Sequence, residues 1–137
     1  LKLLIADSRL SYRQIAEILG LSTATVIKRI TRMEKAGIIK SYTTVLDHEK
    51  LGYEIPALIE VTVAKGKLLE VERKVSRHPN VVAVYDITGP TDAAIIAKFK
   101  SRRELSKFVK SLLRMEYVER TNTHLILTIV KEDFRLL

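Results

Sequence analysis

From the start of the chain to Gly37 the apolar positions recur every three or four residues, the spacing of helices with one buried face. "SYRQIAEILGLS" opens with Ser11 and Gln14 at the S-x-x-Q spacing of a capping box and continues with Ile15, Ile18 and Leu19 in line. Ala16 is small enough for close helix contact, and Gly20 supplies a turn into the next helix. In "LSTATVIKRITRMEKAGII", Ser22 or Thr23 is placed to cap the start and Gly37 to mark the stop. At about 100° per residue, Val26, Ile27, Ile30 and Met33 fall within about one third of that helix's circumference. Two short helices across a tight Gly-containing turn are the spacing of a helix-turn-helix. "LKLLIAD" lies inside the same pattern without an initiator Met, and is read as a truncated first helix with native residues missing before it. "IIKSYTTVL", rich in β-branched and apolar residues, is expected as a wing strand beside the second helix.

The period then changes. "DHEKLGYE", residues 47–54, is polar with Gly52 inside it, and reads as a linker. "ALIEVTVAK" alternates, with Ala57, Ile59, Val61 and Val63 on one strand face. "KLLEVERKVSRH" is helical, with Leu68, Val71 and Val75 in line and Pro79 ending it. "NVVAVYDITG" and "DAAIIAKFK" read as strands joined by the turn "GPTD". "SRRELSKFVKSLLR" starts with the pair Ser101 and Glu104 and carries a stripe of Leu105, Phe108, Val109, Leu112 and Leu113. "RTNTHLILTIV" closes as a strand. The order β-α-β-β-α-β is the ferredoxin-like split motif. The expected fold class is therefore α+β: a winged helix-turn-helix over residues 1–46, a linker over 47–54, and a ferredoxin-like domain over 55–137. Two helices cover one face of a four-stranded sheet, so the other, still apolar, predicts a homodimer through this domain and further assembly.

Charge changes the picture for the first part. The net charge is +8, and residues 1–46 hold eight Lys/Arg against three Asp/Glu, or +5. Thr25, Lys28, Arg32 and Lys35 cluster opposite the apolar face of the second helix, with Arg29 on the boundary and Glu34 as the single acid. A solvated helix normally mixes both signs, whereas a helix in the major groove needs donors for base edges and cations for phosphates. Thr23, Thr25, Lys28 and Arg29, in the N-terminal half, are the candidates for base-edge reading, with Arg29 near the flank alternatively placed to clamp the backbone, and Ser22 at the helix start joins the DNA-binding set. Arg32, Lys35, Arg13 and Lys40 are the candidates for phosphates. The expected partner is double-stranded DNA, read as a roughly palindromic operator by two recognition helices about 34 Å apart. A solubilising surface is the competing account of the charge.

Other chemistry is sparse. There is no cysteine, so disulfides and thiolate catalysis are excluded, and a reducing, cytoplasmic location is expected. No apolar run approaches the length needed to cross a bilayer, and no membrane partner is expected. His48, His78 and His124 are scattered, with no metal-ligand spacing, Gly-rich phosphate loop or nucleophile elbow nearby; no metal, cofactor or catalytic residue is predicted.

A basic helix-turn-helix ending in "LSTATVIKRITRMEKAGII", followed by β-α-β-β-α-β with "GPTD" between its second and third strands, resembles the Lrp/AsnC family of feast/famine regulators over essentially the whole chain. The resemblance implies a prokaryotic DNA-binding transcription regulator that dimerises through its second domain, often assembles to octamers, and commonly senses amino acids. It places the family's G-x-x-D turn on Gly89, Pro90, Thr91 and Asp92, part of an effector site between dimers. There Asp92 is the anion for an ammonium group and the turn's N–H groups face a carboxylate, although Pro90 has none to give. Thr121 and Thr123, on one side of the last strand, would complete the pocket with hydroxyls. An ordinary hairpin turn, with Asp92 bonded to nearby backbone, is the alternative. The sirohaem decarboxylases resemble the same two-domain plan, so a tetrapyrrole-processing enzyme is the alternative function; the basic helix face argues against it.

Overall fold

The computed structural model describes residues 1–136 and contains five helices and four strands among them. Its contacts divide the chain into two compact units, Leu1–Leu46 with Glu132–Leu137, and Asp47–Lys131. The last residues group with the first unit, whereas the hydropathy pattern assigned them to the second.

In the first unit, α1 (Lys2–Ala6), α2 (Tyr12–Leu19) and α3 (Thr23–Lys35) surround a small core of Ile15, Ala16, Val26 and Ile30. The predicted capping box is complete: Ser11 Oγ accepts from the Gln14 N–H at 3.2 Å, and the Gln14 side chain accepts from the Ser11 N–H at 2.8 Å. Gly20 ends α2 at φ +63°, a left-handed conformation that glycine reaches at little cost, and the Leu21 N–H donates to the Ala16 carbonyl at 3.0 Å. Ile27, expected on the packing face, is 42% exposed because it lies at the flank of the apolar stripe. The wing strand is corrected. Residues 40–47 adopt no regular structure, and Tyr42, Val45 and Leu46 are exposed. A strand needs a ladder partner for its backbone groups, and this segment pairs with none within the described chain.

In the second unit, β1 (Ile55–Val63), α4 (Leu68–Val75), β2 (Val81–Asp86), β3 (Ala93–Phe99), α5 (Arg102–Leu113) and β4 (Val118–Leu125) follow one another as predicted. The sheet is antiparallel with order β2-β3-β1-β4. Period-two burial on β1 is sharp: Ala57, Ile59, Val61 and Val63 are 0, 0, 1 and 7% exposed. They meet Val71 and Val75 of α4 and Leu105, Phe108 and Leu112 of α5, so both helices cover the same face. The Phe99 and Phe108 rings sit 5.3 Å apart in that core. Leu113, placed in the α5 stripe by spacing, is half exposed at the stripe's edge.

The stretch 47–54, read as a linker, forms a hydrogen-bonded turn. Asp47 accepts from the Lys50 N–H, the Tyr53 N–H donates to the His48 carbonyl, and Gly52 takes φ +85°. It docks on the end of β3, with His48 Nδ1 3.4 Å from Nζ of the buried Lys98 and the Tyr53 ring under Lys100. The last strand ends at Leu125, five residues short of the predicted end, after which only the Ile126 N–H extends its ladder, to Pro56. Beyond that, Leu127 and Val130 are 94% exposed: apolarity alone does not make a strand without a neighbour to pair with.

Candidate nucleic-acid interface

The candidate surface is built by α3. Ser22 is its N-cap, with Oγ accepting from the Thr25 N–H at 3.1 Å and bonded to Thr25 Oγ1 at 2.8 Å. Those two hydroxyls hold the start of the helix as well as facing outward, and Thr25 is only part-exposed. Val26 and Ile30 anchor the opposite face against α2, where Ala16, 4% exposed, lets the helices approach. The helix is thus fixed from behind while Thr23, Lys28, Arg29, Arg32 and Lys35 are exposed in front.

Charge on this face is nearly uncompensated. Among the described residues, Lys28, Arg29, Arg32, Lys35 and Lys40 form no salt bridge. The helix's one acid, Glu34, accepts instead from the Tyr42 hydroxyl at 2.9 Å. Desolvation first, and then the hydrogen bond to the Glu34 carboxylate, push the Tyr42 phenol above its ordinary value. Arg13 differs from the other candidates: it pairs with Glu17 at 3.2 Å across one turn of α2. Both groups are solvent-exposed, and such a pair exchanges readily for a phosphate.

The turn candidates separate into two groups. Gly89 adopts φ +124°. Asp92 is bound into the sheet: its carboxylate accepts from the Val63 N–H at 2.8 Å, and its own N–H donates to the Val61 carbonyl at 3.0 Å. The nearby backbone expected for an ordinary turn is therefore the end of β1, far away in sequence. Pro90, Thr91 and Thr121 border a cleft of about 370 Å³, together with Glu60, Arg120 and Asn122. Gly89, Asp92 and Thr123 do not line it. Thr121 and Thr123 share a strand side, as expected, opposite Val61 and Ile59.

Glu60 and Arg120 were missed from sequence. They place a carboxylate and a guanidinium on one cleft, opposite charges able to engage a zwitterion. The available signal was the single acid in "ALIEVTV", on the outward side of an otherwise apolar strand. Glu60 is also the hub of a polar cluster: its Oε2 lies 2.9 Å from His124 Nε2 and 3.0 Å from Asn122 Nδ2, and Thr91 Oγ1 reaches Oε1 at 3.5 Å. The His124 contact first, then Asn122, lower its carboxyl below the ordinary glutamate value.

Comparison with known proteins agrees with this architecture. Residues 56–136 match the Lrp/AsnC ligand binding domain family, and residues 1–40 match a winged helix-turn-helix DNA-binding family. An uncharacterised HTH-type transcriptional regulator of Pyrococcus furiosus is 50% identical, with 99% of this chain and 92% of that protein aligned. The HTH-type transcriptional regulator FL11 of the same organism is 36% identical over 99% of this chain and 90% of its own length. Among solved structures, a Neisseria meningitidis transcriptional regulator in complex with L-methionine superposes with TM-score 0.89 at 27% identity, covering 100% of this chain and 91% of that one. Escherichia coli AsnC superposes with TM-score 0.90 at 21% identity over 97% and 91% of the two chains.

Proposed function

The chain belongs to the Lrp/AsnC family of DNA-binding transcription regulators, and from that premise we propose how its residues act. Two copies associate through the helix-free face of the sheet and present two α3 helices to successive major grooves of a roughly palindromic operator. The observation that carries this reading is the exposed, unpaired set Lys28, Arg29, Arg32 and Lys35 on a helix whose other face is buried. Thr23, Thr25, Lys28 and Arg29 read base edges; Arg32, Lys35, Arg13 and Lys40 hold phosphates and supply most of the affinity. The protein acts by binding, not catalysis.

The cleft of Glu60, Thr91 and Arg120 takes an amino acid, as its two charges match an α-ammonium and an α-carboxylate. The methionine complex of the Neisseria meningitidis regulator supports this class of effector. The assignment moves the ammonium partner from Asp92 to Glu60, because Glu60 lines the cleft and Asp92 does not. Effector binding would shift the oligomer equilibrium, and with it DNA occupancy, to the extent that it favours one assembly.

The test is a salt titration of binding to the protein's own upstream region and to a scrambled copy. Preference for the native duplex, a steep fall with salt, and weakening by Lys28→Ala or Arg29→Ala at unchanged melting temperature are expected. Unchanged affinity in both variants would remove α3 as the reading helix. A visible absorbance band induced by added tetrapyrrole would favour the decarboxylase-like alternative.

A further inference from the structure

The second unit carries its own charge asymmetry. Asp47–Lys131 holds fifteen Lys/Arg and eleven Asp/Glu, a net +4. Residues 100–114 alone hold six against one, a net +5, leaving the rest of the unit at −1. The excess is therefore confined to α5 and its entry.

On α5 it is confined further, to one face. Arg103, Lys107, Lys110 and Arg114 fall at i, i+4, i+7 and i+11, within about 60° of one another at about 100° per residue. All four are exposed, and they line one shallow surface cleft. None is in a salt bridge among the described residues. Glu104, the one acid, accepts from the Lys100 backbone N–H at 3.0 Å. The opposite face of α5 buries Leu105, Phe108 and Leu112, which fixes the stripe outward. The other helix on the sheet, α4, balances Arg73 and Lys74 with Glu70 and Glu72. Packing on this sheet therefore does not call for a cationic helix, and among the described helices only α3 matches α5 in imbalance.

We propose that the outer face of α5 is a second DNA-backbone surface, contacting phosphates outside the base pairs that α3 reads. The proposal rests on the DNA-binding reading above. Four like charges with the single acid Glu104 beside them leave a net positive face, whose charges repel one another and find their complement in a polyanion, and the polyanion this family binds is duplex DNA. Arg and Lys here carry no base-edge geometry, so the contact adds affinity and salt dependence without sequence preference.

The test compares wild type with R103Q/K107Q/K110Q/R114Q on two duplexes centred on the footprinted site, one of about 20 base pairs and one of about 60. Gln keeps helix propensity close to that of Lys and Arg, and an unchanged circular dichroism spectrum and melting curve establish folding. On the long duplex the variant is expected to bind about tenfold or more weakly, with its slope of log affinity against log salt reduced by roughly 2 to 4. On the short duplex the two proteins are expected to bind alike. Equal affinities and slopes on the long duplex overturn the proposal and leave the face to an acidic protein or to solvent. Equal losses on both duplexes also overturn it, since the effect would not then come from flanking DNA. If the wild type binds neither duplex, the DNA-binding reading itself fails, a result separate from these.

Discussion

The Asp92 carboxylate and the Val63 N–H, 29 residues apart in sequence, meet in a 2.8 Å hydrogen bond. The bond lies where the register of β1 against β4 shifts, between Thr62 and Val63, and past Val61, the last β1 residue paired with β3. Asp92 thereby serves as a side-chain substitute for one rung of the ladder, and it pins the Gly89–Asp92 turn to the central strand.

Removing that acceptor leaves a part-buried N–H without its partner. Asp92→Ala is expected to lower unfolding stability by about 1–3 kcal/mol, whereas Asp92→Asn retains a carbonyl oxygen and is expected to cost less. Urea unfolding of both variants measures this; equal stability of Asp92→Ala and wild type would mean the bond is not made in solution.

Close packing of α2 on α3 depends on a residue with no side chain beyond Cβ. Ala16→Leu is expected to overfill the contact, costing about 1–3 kcal/mol, and to weaken DNA binding by displacing α3. Parallel melting and DNA-binding measurements check both effects. Loss of DNA binding at full stability would instead give Ala16 a direct role at the DNA.

The Glu60 cluster has a defined pH signature. Its carboxyl is held below the ordinary glutamate value, chiefly by His124 and then by Asn122, so the folded state binds this proton more weakly than the unfolded state. Its contribution is present above the unfolded-state value and is lost as pH falls through the lowered folded one. In a His124→Gln background, which removes the imidazole and leaves the Asn122 and Thr91 contacts, a smaller acid-side loss of the same sign is expected. Glu60→Gln in that background should flatten it further. Urea midpoints taken across the acid range report the difference.

Glu72 runs the other way. One of its oxygens is buried without a hydrogen-bond partner among the described residues, and burial, then repulsion from Asp86, raise its carboxyl above the ordinary value. A raised acid costs stability as pH rises through its folded value, because the folded state then gives up a proton it binds more tightly. Glu72→Gln is therefore expected to melt above wild type at neutral pH, with the gap closing in acid. A gap that persists unchanged into acid would assign the effect to packing.

Much of this was legible in the chain. Ser11 with Gln14, Gly20 and the alternation of Ala57, Ile59, Val61 and Val63 are local signals, and local chemistry decides them. The family resemblance supplied the turn at Gly89–Asp92. What the pattern missed is set by partners distant in sequence. Whether residues 40–47 and 127–130 become strands depends on a neighbouring edge, which no run of β-branched residues encodes. Glu60 and Arg120 meet only once β4 lies beside β1, so neither charge advertises a site in one dimension. Asp92 was open either to a ligand or to nearby backbone, and its partner, the Val63 N–H, lies 29 residues away.

The central position of β1 bears on how the chain tolerates changes in length. With β3 on one side and β4 on the other, its alternation is read twice. Deleting a single residue inside it would turn Leu58 and Glu60 towards the helices and expel Ile59 and Val61. Insertions and deletions among descendants of this sequence should therefore be purged from residues 55–63 and accumulate in the connections at 64–67 and 76–80.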